Sequence, residues 1–587
     1  MDIKDQKIIE KNSMHPQKGQ RIDLSKKSLS ILDYQWLANI MKKSSYLEMI
    51  VLPKLAKDNI REILQILNKT TKENSTLTKI NIDLSLPKNN MSVDSLLQYQ
   101  QIKSRIIRNK NRVFAIHGGG NIGIGLMADV ATNSMFKYRI IATSNNRFKR
   151  DLINTAKKLW LQHGSLINNT TCVDGVTMIS RETSDIIELY TKANIAAICL
   201  TPDVMRSVAR DIAQGLIKRY EIDGAGLKIL ILMNLPNCST FVRQKITDEV
   251  LAITGNELYT EKVLSLVQFV PTVIDRIVTP IKIENVKLQL KTQLINLNKA
   301  SNTLQKYPNI YDIFDANKAF YYQVDNIIAN PDKLRKAVNV FGLQFSLFNA
   351  EKKFSIYVPE SFPEAKRFPL MKLTKNLNQI ETIKNKYING PHAMLAWVGA
   401  LMDYDTIAMA IKDPFILTFV TKLMEQEIGP ILRVEYPETS TEELQYLQQV
   451  FIKRCASMED SVTRVGRNPL GKLNAGNRIR GSIELAQKHR LEINIPCLEF
   501  GIASGIFYGI TQKDPTNKEC QKIREIYQQN NKSFAAVLCY SGPMPSGNYI
   551  GFDSNKDKAL VNRILSKISW LKEFHKNKKN HTNQQLH

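Results

Sequence analysis

The chain has 587 residues, 43% of them hydrophobic, and a formal net charge of +26, which allows two to four domains with sizeable cores. It has no run of about 18 apolar residues, so no membrane-spanning helix is expected. Its seven cysteines are scattered, odd in number and without a CxxC pair, which argues against a disulfide framework or a zinc ribbon and for a reducing compartment.

In chain order, residues 1–20 are polar, lack the apolar region of a secretory signal, and read as disordered; the cytoplasm is the expected compartment. Residues 21–86 carry a loose repeat. "RIDLSKKSL", "LEMIVLPKL" and "LTKINIDLSL" have the spaced aliphatics of short strands, and Ile22, Ile50 and Ile80 align, as do Leu24, Leu52 and Ile82. The periods are 28 and 30 residues, with helical stretches such as "LDYQWLANIMKK" between them. This spacing resembles leucine-rich repeats of the ribonuclease-inhibitor type. Such stacks usually present binding surfaces, so a protein partner is expected through residues 21–86. Residues 87–111 read as a linker with a short basic helix.

"VFAIHGGGNIGIGLMADVA" begins at Val113 and combines an apolar strand, Gly118, Gly120 and Gly123 in G-x-G-x-x-G spacing, and an apolar helix. That is the strand–turn–helix context of a dinucleotide fingerprint. Gly118 allows the tight turn, Gly120 a close approach of the pyrophosphate to the backbone, and Gly123 close packing of helix on strand. Asn121 and Ile122 lie between the last two. A second strand ends "ATSNNRFKR". NAD-binding folds usually place an acidic residue there for the ribose 2′-OH. Here Thr143 or Ser144 takes that position, and Arg147, Lys149 and Arg150 follow, which favours NADP over NAD. Strands at 195–200 and 228–233 continue the α/β alternation, and Asn234 ends the latter, where open parallel sheets bind ligands. Residues 282–340 read as a lysine- and asparagine-rich helical insertion.

Further on, "KNKYINGPHAMLAWVGAL" and "DSVTRVGRNPLGKLNAGNRI" appear. With "FAIHGGGNIGIG", "TPDVMRSVARDIAQGLIKR" and "VIDRIVTP", they resemble, in order, the mannitol-1-phosphate 5-dehydrogenases among the polyol-specific long-chain dehydrogenases. The resemblance spans residues 113–575. Lys384, Asn389 and His392 match the family's K-x4-N-x2-H, and "RVGRNPLGKL" resembles its sugar-phosphate branch. The resemblance implies a Rossmann-type domain at 113–357, a mainly helical substrate domain at 358–575, and an active site between them. The expected fold is therefore α/β Rossmann plus α-helical, preceded by a small α/β repeat module, with residues 576–587 a disordered tail.

The resemblance also implies metal-independent chemistry, and the sequence has no HxxEH, HExxH or paired Cys/His spacing for zinc. By resemblance, Lys384 is the acid/base, Asn234 and Asn389 hold the reacting oxygen, and His392 orients the sugar hydroxyls. On an ideal helix, positions 384, 389 and 392 fall within an arc of about 140°. Arg464, Arg467 and Lys472 are candidates for the substrate phosphate. The basic residues are spread along the chain and follow no RNA-binding or zinc-finger motif, so a lysine- and asparagine-rich composition accounts for the charge better than a nucleic-acid partner does, and basic side chains also suit phosphorylated small molecules. Two departures alter the frame of the site: the family's Asn-Thr-Gly-His is Asn389-Gly390-Pro391-His392 here, and the glutamate before Asn234 is Met233. Two readings follow. One is an NAD(P)-dependent enzyme interconverting mannitol 1-phosphate and fructose 6-phosphate, or acting on another polyol or hexuronate. The other is a catalytically weakened dehydrogenase fold fused to a repeat module, an interaction protein or an effector exported to another cell's cytosol.

Overall fold

A computed structural model of the protein describes residues 1–13, 21–44, 46–55, 57–74, 77–84, 91–164, 169–233, 237–299, 320–457, 460–545 and 547–584. It consists of two compact units, Met1–Lys375 and Asn376–His587. The division falls after the strand Met371–Thr374, which pairs with Ser355–Pro359. That pairing carries the first unit past the boundary at 357 expected from sequence.

The first unit opens with a helix, Ile3–Ser13, in a stretch expected to be disordered. It is held because Met1 and Ile9 pack on the core of the repeat region, and the chain's amino group pairs with Asp33 at 3.4 Å. Arg21–Asp23, Met49–Val51 and Lys79–Asn81 then form a parallel sheet in which Ile22 faces Ile50 and Ile50 faces Ile80. The helices between them are Ile31–Lys43, begun by a Ser30–Asp33 capping box, and Ile60–Glu73. Polar side chains close each repeat on the one before: Ser44 Oγ donates to Ser13 O at 2.6 Å, and Asn74 Nδ2 to Met41 O at 2.7 Å. Buried backbone carbonyls are thereby satisfied where the chain leaves each helix.

The stretch expected to be a linker contains an 18-residue helix, Val93–Lys110, which fastens the repeats to the rest of the first unit. Its Tyr99 and Ile102 enter the repeat core. Its polar face grips two loops before the sheet strands, as Arg108 pairs with Asp223 at 2.8 Å and Asn109 bonds Asn194, while Arg105 donates both to Asp223 O and to Asn68 O in the helix Ile60–Glu73. The basic residues Arg105 and Arg108 of this helix are anchors, with Arg105 buried.

The core sheet has six parallel strands, in the order Val267–Pro271, Leu227–Ile231, Ile195–Ile198, Val113–His117, Arg139–Thr143, Val176–Ile179. Its strands are apolar on both faces because helices cover both: Phe114 and Ile116 enter one core, and Ala115 the other. Strand order reverses between Val113–His117 and Ile195–Ile198, the switch point at which such sheets bind ligands. A four-stranded mixed sheet and the helices Ile283–Lys299, Phe320–Ala329 and Pro331–Phe341 extend the first of these cores.

The second unit is mainly helical around one core in which Trp397, Met394 and Ile502 are buried. Its last helix runs Lys558–Gln584, through most of the tail expected to be disordered, and Ile564, Ile568 and Leu571 anchor it. Among the described residues no helix is long and apolar enough to cross a membrane.

Candidate active site

The three fingerprint glycines answer to different constraints. Gly118 has φ +113°, and a Cβ there would lie 2.5 Å from Cys199 O. A Cβ on Gly123 would lie 1.9 Å from Gly118 O, so only glycine lets the helix close on the strand. A Cβ on Gly120 would meet no atom within 4 Å, which leaves its backbone open to a ligand. The turn is held by Gly118 N–H donating to Thr143 Oγ1 at 3.1 Å and Gly119 N–H donating to Thr143 O at 2.7 Å. Asn121 ties the loop to Val278 O at 2.9 Å, and Ile122 packs on the core. These residues fit a dinucleotide: one open backbone position at a switch point, framed by two that are closed.

Thr143 is fully buried and its hydroxyl is engaged in this turn, which leaves half-buried Ser144 at the strand end. Arg147 is exposed, 3.7 Å from Asp151. Arg150 donates to Ser144 O at 2.5 Å, and the Lys149 amine lies over the Phe348 ring. Of the three basic side chains, Arg147 is the one that stands in solvent. Nothing in the residue pattern singles out His117 or Arg181. His117 is buried at the end of the first strand, with Nδ1 3.1 Å from Tyr190 Oη, and burial and the Arg181 charge push its pKa down to about 3. Arg181 Nε is itself buried without a hydrogen-bond partner.

Asn234 lies outside the described residues. Lys384 and Asn389 belong to one turn, Lys384–Asn389, that is π-helical rather than α-helical. Gly390 N–H donates five residues back, to Asn385 O, because Pro391 has no N–H and its ring excludes the carbonyl four residues before it. The arc expected from an ideal helix therefore does not apply. In an i→i+5 turn, residues five apart stand about one turn from each other, so Lys384 and Asn389 share a face. Pro391 then sits in the first turn of Gly390–Leu401, where its missing N–H costs nothing, and His392 follows it. Lys384, Asn389 and His392 are all half-buried. Glu381, one turn before Lys384, is half-buried too. Burial raises its carboxyl pKa and the Lys384 charge opposes the shift.

His392 meets the Phe451 ring edge-on at 6.0 Å. Its pKa is pushed down to about 4, first by burial and then by Arg464, Arg478 and Lys472, with Asp460 opposing. The imidazole is therefore neutral near pH 7, with one donor and one acceptor nitrogen. The three expected phosphate cations are differently disposed. Arg464 grips buried Asp460 through both Nε and Nη2. Lys472 is buried and donates to Val465 O at 2.6 Å and to Arg467 O. Arg467 is exposed. Arg478, not singled out in the sequence, stands directly on the motif: a Cβ on Gly390 would lie 3.1 Å from Arg478 O. Among the described residues, no group of three or more His, Cys, Asp or Glu could hold a metal ion.

Residues 114–302 match the mannitol dehydrogenase Rossmann domain, and residues 376–542 match the mannitol dehydrogenase C-terminal domain. The second match begins at the first residue of the helical unit. The fold is similar to that of Pseudomonas fluorescens mannitol 2-dehydrogenase, solved as a ternary complex with NAD and D-mannitol. That similarity has a TM-score of 0.57 and 13% identity, over 81% of this chain and 94% of that one. It is also similar to a D-sorbitol dehydrogenase solved in substrate-free form, with a TM-score of 0.53 and 14% identity, over 79% of this chain and 94% of that one. With both domain models matched in order over the two units, the chain belongs to the mannitol dehydrogenase family, whose members are oxidoreductases acting on CH–OH groups.

Proposed function

We propose that the protein is a metal-independent, NAD(P)-dependent polyol phosphate oxidoreductase, with mannitol 1-phosphate and fructose 6-phosphate as its substrate pair and Lys384 as its acid/base. The observation that carries this reading is the π turn that puts Lys384 and Asn389 on one face, with neutral His392 just beyond it and a basic loop, residues 464–478, around the imidazole. Gly118, Gly120 and Gly123 with Asn121 and Ile122 hold the cofactor, which when bound supplies the hydride acceptor or donor. Exposed Arg147 and the absence of a carboxylate at Ser144 support NADP.

Lys384 Nζ takes the hydroxyl proton on oxidation and returns it to the carbonyl oxygen on reduction. Asn389 donates to that oxygen and stabilises the negative charge it develops, the role the resemblance also implies for Asn234. His392 orients neighbouring hydroxyls through its one donor and one acceptor. Initial rates at 340 nm test this, with NADPH or NADH against fructose 6-phosphate, fructose and hexuronates. Turnover of fructose 6-phosphate that disappears in Lys384→Ala is the expected result. Folded protein with no turnover of any of them would overturn it.

Residues 21–86 support a second role beside the enzyme, as a protein-docking face. Arg21, Asp23, Lys79 and Asn81 point outward from the parallel sheet while Ile22 and Ile50 enter its core. Reversing Lys79 to Glu is expected to weaken partner capture and leave turnover intact. All seven cysteines are thiols rather than disulfides, which supports a reducing compartment such as the cytoplasm.

A further inference from the structure

We propose that Arg478 and Arg467 form the anion clamp that holds the substrate phosphate beside His392, and that Arg464 and Lys472 build the frame of that clamp rather than touch the ligand. The inference rests on the sugar-phosphate reading above and assigns its recognition pair.

Four cations lie within residues 464–478, and the structure separates them by what each already holds. Arg464 spends its guanidinium fork on Asp460, a buried carboxylate. Both charges are satisfied there, and removing either would strand the other. Lys472 is buried, its amine donating to two backbone carbonyls and lying 5.9 Å from the Trp397 ring centroid. One of those carbonyls is that of Arg467, so Lys472 fixes the backbone from which the Arg467 side chain departs. Trp397 Nε1 donates to Gly466 O at 2.7 Å and fixes the preceding residue as well.

Arg478 is in the opposite condition. Its main chain is pinned: N–H donates to Asn477 Oδ1 at 2.8 Å, Ser482 Oγ donates to its carbonyl, and Gly390 packs against that carbonyl. Its guanidinium has no such engagement. The Nε is shut off from solvent with no hydrogen-bond partner, and among the described residues no carboxylate pairs with Arg478 or Arg467. A buried guanidinium N–H without an acceptor bears the full cost of its desolvation. A second arginine close enough to depress its pKa to about 10, after burial itself, adds repulsion. An anion that accepts from both removes the two penalties together. A phosphate dianion, with three acceptor oxygens and a charge matching two guanidinium forks, is the group that does so. The location suits it, since Arg478 flanks Gly390, between Asn389 and His392.

The test uses the full-length chain, with binding measured by calorimetry for fructose 6-phosphate, fructose and inorganic phosphate, and rates measured for the two sugars. Arg478→Gln is expected to weaken fructose 6-phosphate and phosphate binding about tenfold or more, consistent with loss of charge-assisted hydrogen bonds, and to lower the preference for fructose 6-phosphate over fructose by a similar factor. Arg467→Gln, at an exposed position, should act in the same direction by about threefold. Arg478→Lys keeps the charge without the fork and should fall between. Circular dichroism melting separates binding loss from unfolding, and Arg467→Gln keeps the test open if Arg478→Gln unfolds. Unchanged phosphate binding in both Gln variants, or equal losses for the two sugars, would overturn the assignment even in an active enzyme. Phosphate-dependent binding that both variants weaken, in a wild-type protein that turns over nothing, would sustain the clamp and reject the catalytic reading.

Discussion

Residues 384–391 and 423–430 use one backbone device in two ways. Each is a six-residue π turn, Lys384–Asn389 or Leu423–Ile428, closed by Gly-Pro. In each, the glycine N–H reaches five residues back, Gly390 to Asn385 O and Gly429 to Met424 O. Each proline, Pro391 or Pro430, lands in the first turn of the next helix, which avoids the roughly 3 kcal/mol a proline costs inside one. The two turns touch, since a Cβ on Gly429 would lie 3.7 Å from the Tyr387 ring. The side chains decide the use. The first turn keeps Lys384 and Asn389 half-buried, able to meet a ligand. The second buries Leu423, Met424 and Ile428, and its one buried acid, Glu427, accepts from Cys497 N–H at 2.7 Å and Leu498 N–H at 2.8 Å, capping the helix Pro496–Thr511. A π turn is therefore not by itself a mark of chemistry; the exposure of its polar groups is what separates the two.

The sharpest way to break this pairing is to remove the polar group that each turn carries. Lys384→Ala should lower kcat by about 10²–10⁴-fold with little change in melting temperature. Comparable turnover in Lys384→Ala and wild type would place the acid/base elsewhere.

The prolines come next. Pro391→Ala restores an N–H that can pair four residues back, and it relaxes the turn toward α geometry, moving Asn389 relative to Lys384. A misplacement of about 1 Å can cost about 10²-fold in rate, so a fall in kcat of about tenfold to a hundredfold is expected at nearly unchanged stability. Pro430→Ala should leave kcat close to wild type. Equal effects from the two substitutions would mean that the first turn is only structural.

Glu427→Ala reports on the other side of the comparison. It leaves two helix N–H groups without their acceptor in a buried place, at a cost of about 2 kcal/mol. Denaturant melts should show that loss, while kcat per folded molecule holds.

How much of this could be seen in the sequence depended on how locally each feature is fixed. Ile22, Ile50 and Ile80 pair in the register their spacing sets, because strand stacking follows the repeat period. The fingerprint was legible because Gly118 and Gly123 are demanded by contacts within a few residues of themselves or on the adjacent strand. The π turn was not, because apolar periodicity reports which face is buried and says nothing of whether an amide reaches four residues back or five; Pro391 was the available signal. Arg105 and Arg108 showed only as part of a short basic helix, because their acceptors, Asp223 and Thr191, lie more than 80 residues on in the chain. Arg478 was hidden for a related reason. Which of four cations is free depends on Asp460 and on carbonyls whose positions only the folded loop determines.

His392 carries the smallest expected effect and links the first turn to pH. Its pKa is about 4 in the folded chain, against an ordinary value of 6.5, with burial the main cause and the surrounding cations adding to it. Between those two values the unfolded chain binds a proton at this position that the folded chain does not. Stability therefore falls as pH drops from about 6.5 toward about 4, and this contribution is complete above 6.5 and exhausted below 4. Replacing His392 with Asn removes the term. The stability–pH curve from denaturant melts should then be flatter in that window and nearly unchanged near pH 7. A variant whose curve keeps the wild-type slope would mean that the imidazole is solvated and titrates normally, and the loop 464–478 would then not close around it.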